Sequence, residues 1–488
     1  GTATGVAVPA TVQATSAARI DRLGQSAKRT LNAASVIGSR FPTAFLGDVL
    51  DTVALQELID ADLIVAAAAG SLDECEFQHP LIRAVAYESL PKSTRAQLHQ
   101  RVAEAIQRSE PDALDENAEL IAHHLEGAED MRSAYSWCMR AGTWLSNLDI
   151  VAARVCWRRA DGLAARGWAD GPEQVSMRIA PSALQWGTSY RVGGTVDPAD
   201  FDDLRELCSV SGDRISLAMG MSGLLVSLTL NLRLAELDGL ADEYSRLLES
   251  IGDPAMIVGF INTAAQPKLV AGNNAEALRL AQRGIDLADG DVTKGNFFFE
   301  SPLAWGRTLR GLARCSLGIP GWRDDFHIGS EMARTVGGIT QTVVAAYGYA
   351  VAVINGVIIP DAEIVRDSSV ALTNAERLSD NVTLAWARVG QGLIEAHLDN
   401  ADLDAATELL QRGREDARRH GDRLTETLAD AALAECEANR GDLDSAIELS
   451  RGLLARLHAC GERLIRSPVT VVLVESLIHR GGSGDVEE

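Results

Sequence analysis

From residue 231 onward, turn signals punctuate the chain at a nearly fixed interval. They read Asn231-Leu232-Arg233, Gly272-Asn273-Asn274, Gly318-Ile319-Pro320, residues 356–361, Asn400-Ala401-Asp402 and Gly441-Asp442-Leu443-Asp444. The interval is about 40 residues, and the stretches between are patterned for helices. After most turns a helix opens on small residues: Ala275 and Ala277, Ala405 and Ala406, Ser445 and Ala446. Small residues there let paired helices approach closely. A two-helix unit cannot bury its apolar face alone, so such units stack, each leaning on its neighbours. This half of the chain is restricted to an α-solenoid. A weaker repeat spans residues 147–165, where Ala152, Ala153 and Trp157 alternate with Arg154, Arg158 and Arg159.

The first hundred residues follow a different rule. Residues 17–24 and 27–36 read as helices, Phe45, Leu46, Val49 and Leu50 make a third, and Leu55, Leu58 and Ile59 a fourth. Residues 63–67 pair with residues 74–78 through a turn containing Gly70 and Ser71, the chain's only predicted hairpin. Pro80 suits the first position of a helix, where its missing N–H costs nothing. Leu81, Ile82, Val85 and Ala86 give that helix its apolar face and Pro91 ends it; Thr94 and Gln97 form a capping-box pattern for the next. Short helices followed by a hairpin is the order of a winged helix. The candidate recognition helix, residues 52–60, carries Glu57 and Asp60 and no lysine or arginine, so it lacks the cations that a DNA-reading helix needs. The predicted fold class is mainly α: a winged-helix domain with one β-hairpin, then a tetratricopeptide-like α-solenoid whose repeats exceed the roughly 34 residues of the standard unit.

Charge and cysteine usage narrow the function. A formal charge of −23 repels phosphate backbones, so no nucleic-acid partner is expected. The seven cysteines are scattered without a C-x-x-C pair, which points to reduced thiols and a cytoplasmic protein. Residues 335–360 carry no charge until Asp361, yet Gln341, Asn355 and several glycines interrupt the run. A membrane span needs roughly 20 predominantly apolar residues, so this stretch reads as a buried helix, and no membrane partner is expected.

The region around residues 77–106 also resembles the end of the winged-helix domain in STAND-type signalling ATPases, multidomain NTPases that carry a sensor after the motor. The residues concerned are His79, Leu81-Ile82-Arg83, Tyr87, Leu90, Arg95 and Leu98-His99. Upstream, Pro9-Ala10-Thr11-Val12, Ala18-Arg19-Ile20-Asp21-Arg22-Leu23 and Ala34-Ser35-Val36-Ile37-Gly38 look like the stretch leaving the ATPase module. Ile121-Ala122-His123-His124-Leu125, Met139-Arg140-Ala141-Gly142-Thr143-Trp144, Ser301-Pro302-Leu303-Ala304 and Gly321-Trp322-Arg323 are similar to mycobacterial proteins that fuse an adenylate or guanylate cyclase, an ATPase and a tetratricopeptide-like region. With this resemblance the layout becomes residues 1–24, a remnant of the ATPase module; 25–110, the winged helix; 111–186, a first helical-repeat block; 187–203, a connecting loop; 204–480, the solenoid; and 481–488, a disordered tail. A start without methionine then implies a piece of a longer protein.

Catalysis is not expected from this chain. A P-loop needs glycine before its lysine, and none of the four lysines (Lys28, Lys92, Lys268, Lys294) follows glycine. No cyclase domain is legible either. The resemblance implies ATP or ADP and magnesium in the parent, with no cofactor, catalytic residue or metal site in this chain. His123 and His124 do not match H-e-x-x-H spacing and point about 100° apart on a helix; His99 is expected to pack beneath the preceding helix. His79 stands where, in STAND ATPases, a histidine reaches the phosphates of bound ADP. Pro80 follows it where many relatives have aspartate, and a histidine that caps its own helix is the other reading. Phe297, Phe298, Phe299 and Trp305 are a candidate partner contact, were they exposed on a concave solenoid face. The expected partners are the parent's own N-terminal ATPase and cyclase domains and an unknown protein or small molecule on the solenoid. The alternatives are the equivalent region of a LuxR-type regulator with a helix-turn-helix, or a free-standing scaffold that binds peptides in its groove.

Overall fold

The computed structural model describes the chain except residues 1–9, 69–70, 147, 167–170, 194–196, 298–299, 378–380, 483–484 and 486–488, and gives only the backbone at 10–15 and 381. The chain divides into two compact units, residues 1–144 with 155–170 and residues 145–154 with 171–488. Both are helical, and one small sheet lies in the first.

Unit 1 begins with helices α1 (Ala10–Asp21) and α2 (Gln25–Ile37), strand β1 (Arg40–Pro42), and helices α3 (Thr43–Val49) and α4 (Gln56–Asp60). A hairpin, β2 (Ile64–Ala68) and β3 (Ser71–Phe77), follows. The predicted hairpin forms in nearly the predicted register, with Ile64 opposite Phe77 and Ala66 opposite Cys75. It is not alone: β1 pairs with the other edge of β3, giving the order β1-β3-β2. Three residues ending in proline are too short to show a strand period, which is why this strand escapes the sequence. Alternation holds on β3, where Cys75 and Phe77 are buried and Phe77 meets Phe41 edge to face at 5.9 Å.

Helices α5 (Pro80–Glu88), α6 (Lys92–Ser109), α7 (Ala118–Gly127) and α8 (Met131–Leu145) extend unit 1. Leu31, Phe41, Leu46, Leu58, Leu63 and Ile64 are fully buried in one core with Ile82, Val102 and Ile121. Ile20 and Leu23 join that core, so residues 17–24 are an integral part of this unit rather than an appended remnant. The capping box at Thr94 does not form: α6 already starts at Lys92, behind Pro91, with no side-chain cap. Proline at this place sets the helix start three residues earlier than the side-chain pattern does. Glu57 on the short α4 accepts a hydrogen bond from the Gly24 amide at 2.6 Å, a structural duty at the head of α2. Helix α9 (Ile150–Ala165) gives its first residues to unit 2 and the rest to unit 1.

Unit 2 opens with α10 (Pro172–Gly187), α11 (Ser189–Val192) and α12 (Asp202–Ser211), and then alternates inner and outer helices. The pairs are α13 (Arg214–Leu230) with α14 (Leu234–Ile251), α15 (Pro254–Val270) with α16 (Asn274–Ala288), and α17 (Pro302–Ser316) with α18 (Trp322–Val336). Next come α19 (Gly338–Val343), a π-helical segment (Val344–Tyr349) and α20 (Ala350–Ile354), which together form one inner helix facing α21 (Ala362–Arg377). The remaining pairs are α22 (Asn381–Ala396) with α23 (Leu403–His420) and α24 (Arg423–Arg440) with α25 (Leu443–Cys460); α26 (Arg466–Arg480) follows. All six predicted turns fall inside these pairs. The turns between pairs were less legible, and a common device makes three of them. Gly212, Gly252 and Gly421 end one helix in the left-handed conformation, and the next residue, Asp213, Asp253 or Asp422, caps the following helix.

The inner helices α13 and α15 are poor in charge and rich in Gly, Ala and Ser and are buried on most sides, whereas the outer helices α14 and α16 are amphipathic. Residues 339–354, the uncharged stretch, are wholly buried. Among the described residues no helix is long and apolar enough to cross a membrane.

Two boundaries differ from the predicted layout. Residues 187–203 are not a plain connecting loop. Ser189–Val192 is helical, with Tyr190 and Arg191 buried, and Arg191 donates to the Ser146 carbonyl at 2.8 Å. Burial of an aromatic ring outweighs the glycines and aspartates that signalled a loop. The solenoid unit also starts before residue 204, because α10 packs on α13: a Cβ at Gly223 would fall 1.8 Å from the Trp186 carbonyl oxygen.

The late segments of the solenoid return to its early ones. The Arg463 amide donates to the Val270 carbonyl at 2.9 Å, Arg463 lies against Gly272, and His420 lies against Gly193. The repeats therefore do not depend on sequence neighbours alone. Removing residues 401–440 would delete α23 and α24 and undo this seam, contrary to the expectation for an open array. Beside the seam, Glu462 is fully buried and accepts from the Leu464 and Ile465 amides at 2.7 and 2.9 Å, while its Oε2 has no partner. Burial pushes its pKa up to about 7. An acid whose folded pKa is raised contributes stability below its unfolded pKa and loses it as pH rises through the folded one. Glu462→Gln is accordingly expected to gain about 2–3 kcal/mol over wild type at pH 8 and little at pH 5. Urea melts of both proteins at the two pH values check this; an equal difference at both would mean that Glu462 does not titrate there.

Candidate functional site

The residues singled out from sequence do not gather in one place. In unit 1, His79 is the N-cap of α5: its Nδ1 accepts from the Leu81 amide at 3.1 Å, and its side chain is exposed. Because Nδ1 is the acceptor, the neutral ring carries its proton on Nε2, which has no partner among the described residues.

His99 and His124 are buried together in the same unit. The Tyr87 hydroxyl lies 3.0 Å from His99 Nε2, and His99 Nδ1 lies 3.0 Å from His124 Nδ1. His99 does pack beneath the preceding helix, and Gly127 makes room for its ring, since a Cβ there would fall 2.6 Å from Nδ1. Desolvation lowers the pKa of His99 to about 4 and that of His124 to about 3, with His123, Arg83 and Arg95 adding repulsion. Both rings are therefore neutral at pH 7, and one arrangement satisfies them: Tyr87 donates to His99, and one Nδ1–H bridges the pair. Among the described residues no group of three or more His, Cys, Asp or Glu side chains is placed to hold a metal ion.

In unit 2, the aromatic quartet splits. Phe297 is 45 % exposed and stacks on Phe260, ring centroids 5.3 Å apart and 7° from parallel. Phe298 and Phe299 lie outside the described residues. Trp305 is only 3 % exposed, so it cannot be a surface contact. A position on the concave side of an inner helix turns it to the middle of the solenoid.

That middle is the site the sequence did not show. Inner helices converge on a pocket walled by Trp305, Tyr347, Trp386 and Tyr190, with Val226, Leu230 and Val343 completing the apolar surface. Gly259, Asn262, Thr263 and Gln266 of α15 form the remaining wall. The π-helical segment adds a residue to one turn of the inner helix and so re-aims Tyr347, a device that recurs at functional sites. Tyr347 meets Trp305 edge to face at 5.8 Å. Trp386 is fixed from behind by the buried Asp422, which accepts its indole N–H at 2.6 Å. Asn262 donates through Nδ2 to the Pro302 carbonyl at 2.8 Å, but its Oδ1 has no donor. The Tyr347 hydroxyl is also buried without a well-formed hydrogen bond, although Gln266 lies beside it. Each such orphan costs about 1–3 kcal/mol unless water or a ligand pairs with it. The gap between the walls is narrow, with about 30 Å³ of free space. A peptide cannot lie in that gap.

No protein-family model matches the chain, and no curated protein matches it either. Solved structures do. The chain is similar to the Signal Transduction ATPase with Numerous Domains (STAND) protein with a tetratricopeptide repeat sensor from Pyrococcus horikoshii, over 96% of this chain and 68% of that one, at a TM-score of 0.50 and 13% identity. The two share a fold. A second match, yeast Tom70, covers 80% of this chain and 94% of that one at a TM-score of 0.32 and 9% identity, too low a score to carry an argument. The likeness supports a mainly helical, tetratricopeptide-like architecture.

Proposed function

We infer that this chain is the non-catalytic regulatory and sensor region of a STAND-type signalling ATPase. The observation that carries the reading is the fold likeness to a STAND protein over nearly the whole chain. Unit 1 supports it independently: helix, strand, two helices and a hairpin is the order of a winged helix, and residues 77–106 carry the local STAND resemblance. In this reading unit 1 docks on the parent's ATPase module, and the solenoid receives the signal. The finer proposal, a parent that also carries an adenylate or guanylate cyclase and works in the cytoplasm with ATP or ADP and magnesium, rests on the residue resemblance alone. A LuxR-type parent is the alternative that sequence beyond Glu488 would decide.

His79 gives the proposal a testable contact. Capping and phosphate binding do not exclude each other, because the cap uses Nδ1 and leaves the Nε2–H donor of an exposed side chain available. One hydrogen bond to a charged phosphate is worth about 1.5–3 kcal/mol, so in the parent His79→Ala is expected to speed ADP release about tenfold or more. Stopped-flow release of a fluorescent ADP analogue measures this; an unchanged rate would leave His79 as a cap only. The isolated chain, having no P-loop, is expected to show no micromolar ATP binding by calorimetry.

A further inference from the structure

Asn262 and Tyr347 both line the central pocket, and Asn262 Oδ1 is buried without a partner while the Tyr347 hydroxyl has only Gln266 beside it. Asn262 is only 5 % exposed, and because its Nδ2 is committed to Pro302, the group left over is an acceptor. Among the described residues no Asp, Glu, Lys, Arg or His lines the pocket. A charged ligand would lose its hydration there with nothing to replace it. The indole and phenol faces of Trp305, Trp386 and Tyr347 instead suit a flat apolar ring. We propose that the pocket binds an uncharged small molecule with a flat apolar ring and one N–H or O–H donor, which Asn262 Oδ1 accepts.

The narrow free space makes entry conditional. The walls belong to α11, α13, α15, α17, the α19–π segment and α22, and α15 also carries Val270 of the seam. A ring can enter only as these walls part, and parting them loads the seam at Val270 and Arg463. Binding is thereby linked to how tightly α15 and the segment after α25 hold each other. This names the ligand class of the sensor described above and rests on that reading for its meaning in the parent, while binding itself is read on this chain alone.

Three probes test the proposal by calorimetry on the full chain: indole, which has an N–H donor; benzofuran, its isostere without one; and indole-3-acetate, which is charged. Indole is expected to bind, benzofuran to bind about tenfold more weakly, and indole-3-acetate not to bind at the same concentrations. In Asn262→Leu the preference for indole over benzofuran is expected to vanish. Because Asn262 also anchors Pro302, a second variant is needed: Val343→Trp fills the pocket and is expected to abolish indole binding. Equal affinities of wild type for indole and benzofuran would overturn the proposal, as would undiminished indole binding by a folded Val343→Trp. No indole binding by wild type would overturn it too, leaving a pocket that holds water only. The sensor reading fails on a different result: ADP release from the parent that is indifferent to removal of the solenoid.

Discussion

Asp325→Ala is expected to destabilise unit 2 by about 3–5 kcal/mol, the range for breaking a buried ion pair from one side. Helix α17 places Arg307, Arg310 and Arg314 along one face, and all three converge on Asp325 of α18, which is 1 % exposed. Arg310 Nε lies 3.0 Å from each carboxylate oxygen, and Arg314 Nη1 lies 2.9 Å from one of them. Without Asp325, the buried Arg310 keeps only Gln282, at 2.8 Å. The loss is then mainly the cost of a stranded guanidinium rather than the worth of the pair. Replacing both partners, as in Arg310→Met with Asp325→Leu, is expected to recover most of the stability. Urea melts of the full chain measure both variants. A loss below about 1 kcal/mol in Asp325→Ala would mean that water reaches the arginines as it does at a surface bridge.

Acid should weaken unit 1 early. The folded pKa values of His99 and His124, about 4 and about 3, lie below the ordinary value of 6.5. The unfolded chain therefore binds protons first as pH falls, and stability is lost from about pH 6.5 downward at up to about 1.4 kcal/mol per unit for each group. Neither ring takes up a proton in the fold above pH 5, so a loss of about 3–4 kcal/mol between pH 7 and pH 5 is expected for unit 1. A His99→Asn, His124→Gln double variant should be less stable at pH 7 yet have a flatter acid limb. Amide exchange of α6 and α7 at the two pH values separates this from the opposite trend of Glu462 in unit 2. If wild type and the double variant respond to acid in parallel, the pair is not what sets the acid limit.

Periodicity made much of the architecture readable, because each in-pair turn breaks a helix with Gly, Asn or Pro at a repeating distance. Turns between pairs hide in single Gly-Asp steps, which look like ordinary helix surface until the left-handed glycine is seen. Short elements were lost for the same reason: Arg40–Pro42 and Ser189–Val192 are held by tertiary contacts and have too few residues to carry a period. Site residues fared worse. Trp305 was noticed as part of an aromatic run, but its neighbours in space, Tyr190, Tyr347 and Trp386, are scattered over two hundred residues of sequence and brought together only when the solenoid closes. One signal was available: Tyr347 sits in the uncharged stretch that ends before Asp361, too polar for lipid and too apolar for a surface. His79 was better placed, since a histidine directly before a helix-opening proline is legible as a cap.

Closure at Val270 and Arg463 changes how such a chain comes apart and how it assembles. An open array frays from its ends, so amide protons of its outermost helices exchange fastest and those of its middle slowest. With Val270 at the end of α15 held by Arg463 after α25, α15 and α25 lose that freedom, and exchange is levelled along the solenoid. Assembly carries the opposite burden. Residues so distant in sequence must meet before the inner helices are covered, which raises contact order and delays the final step. Until then the most apolar helices of the chain face water, and the last event of folding is the one that hides them.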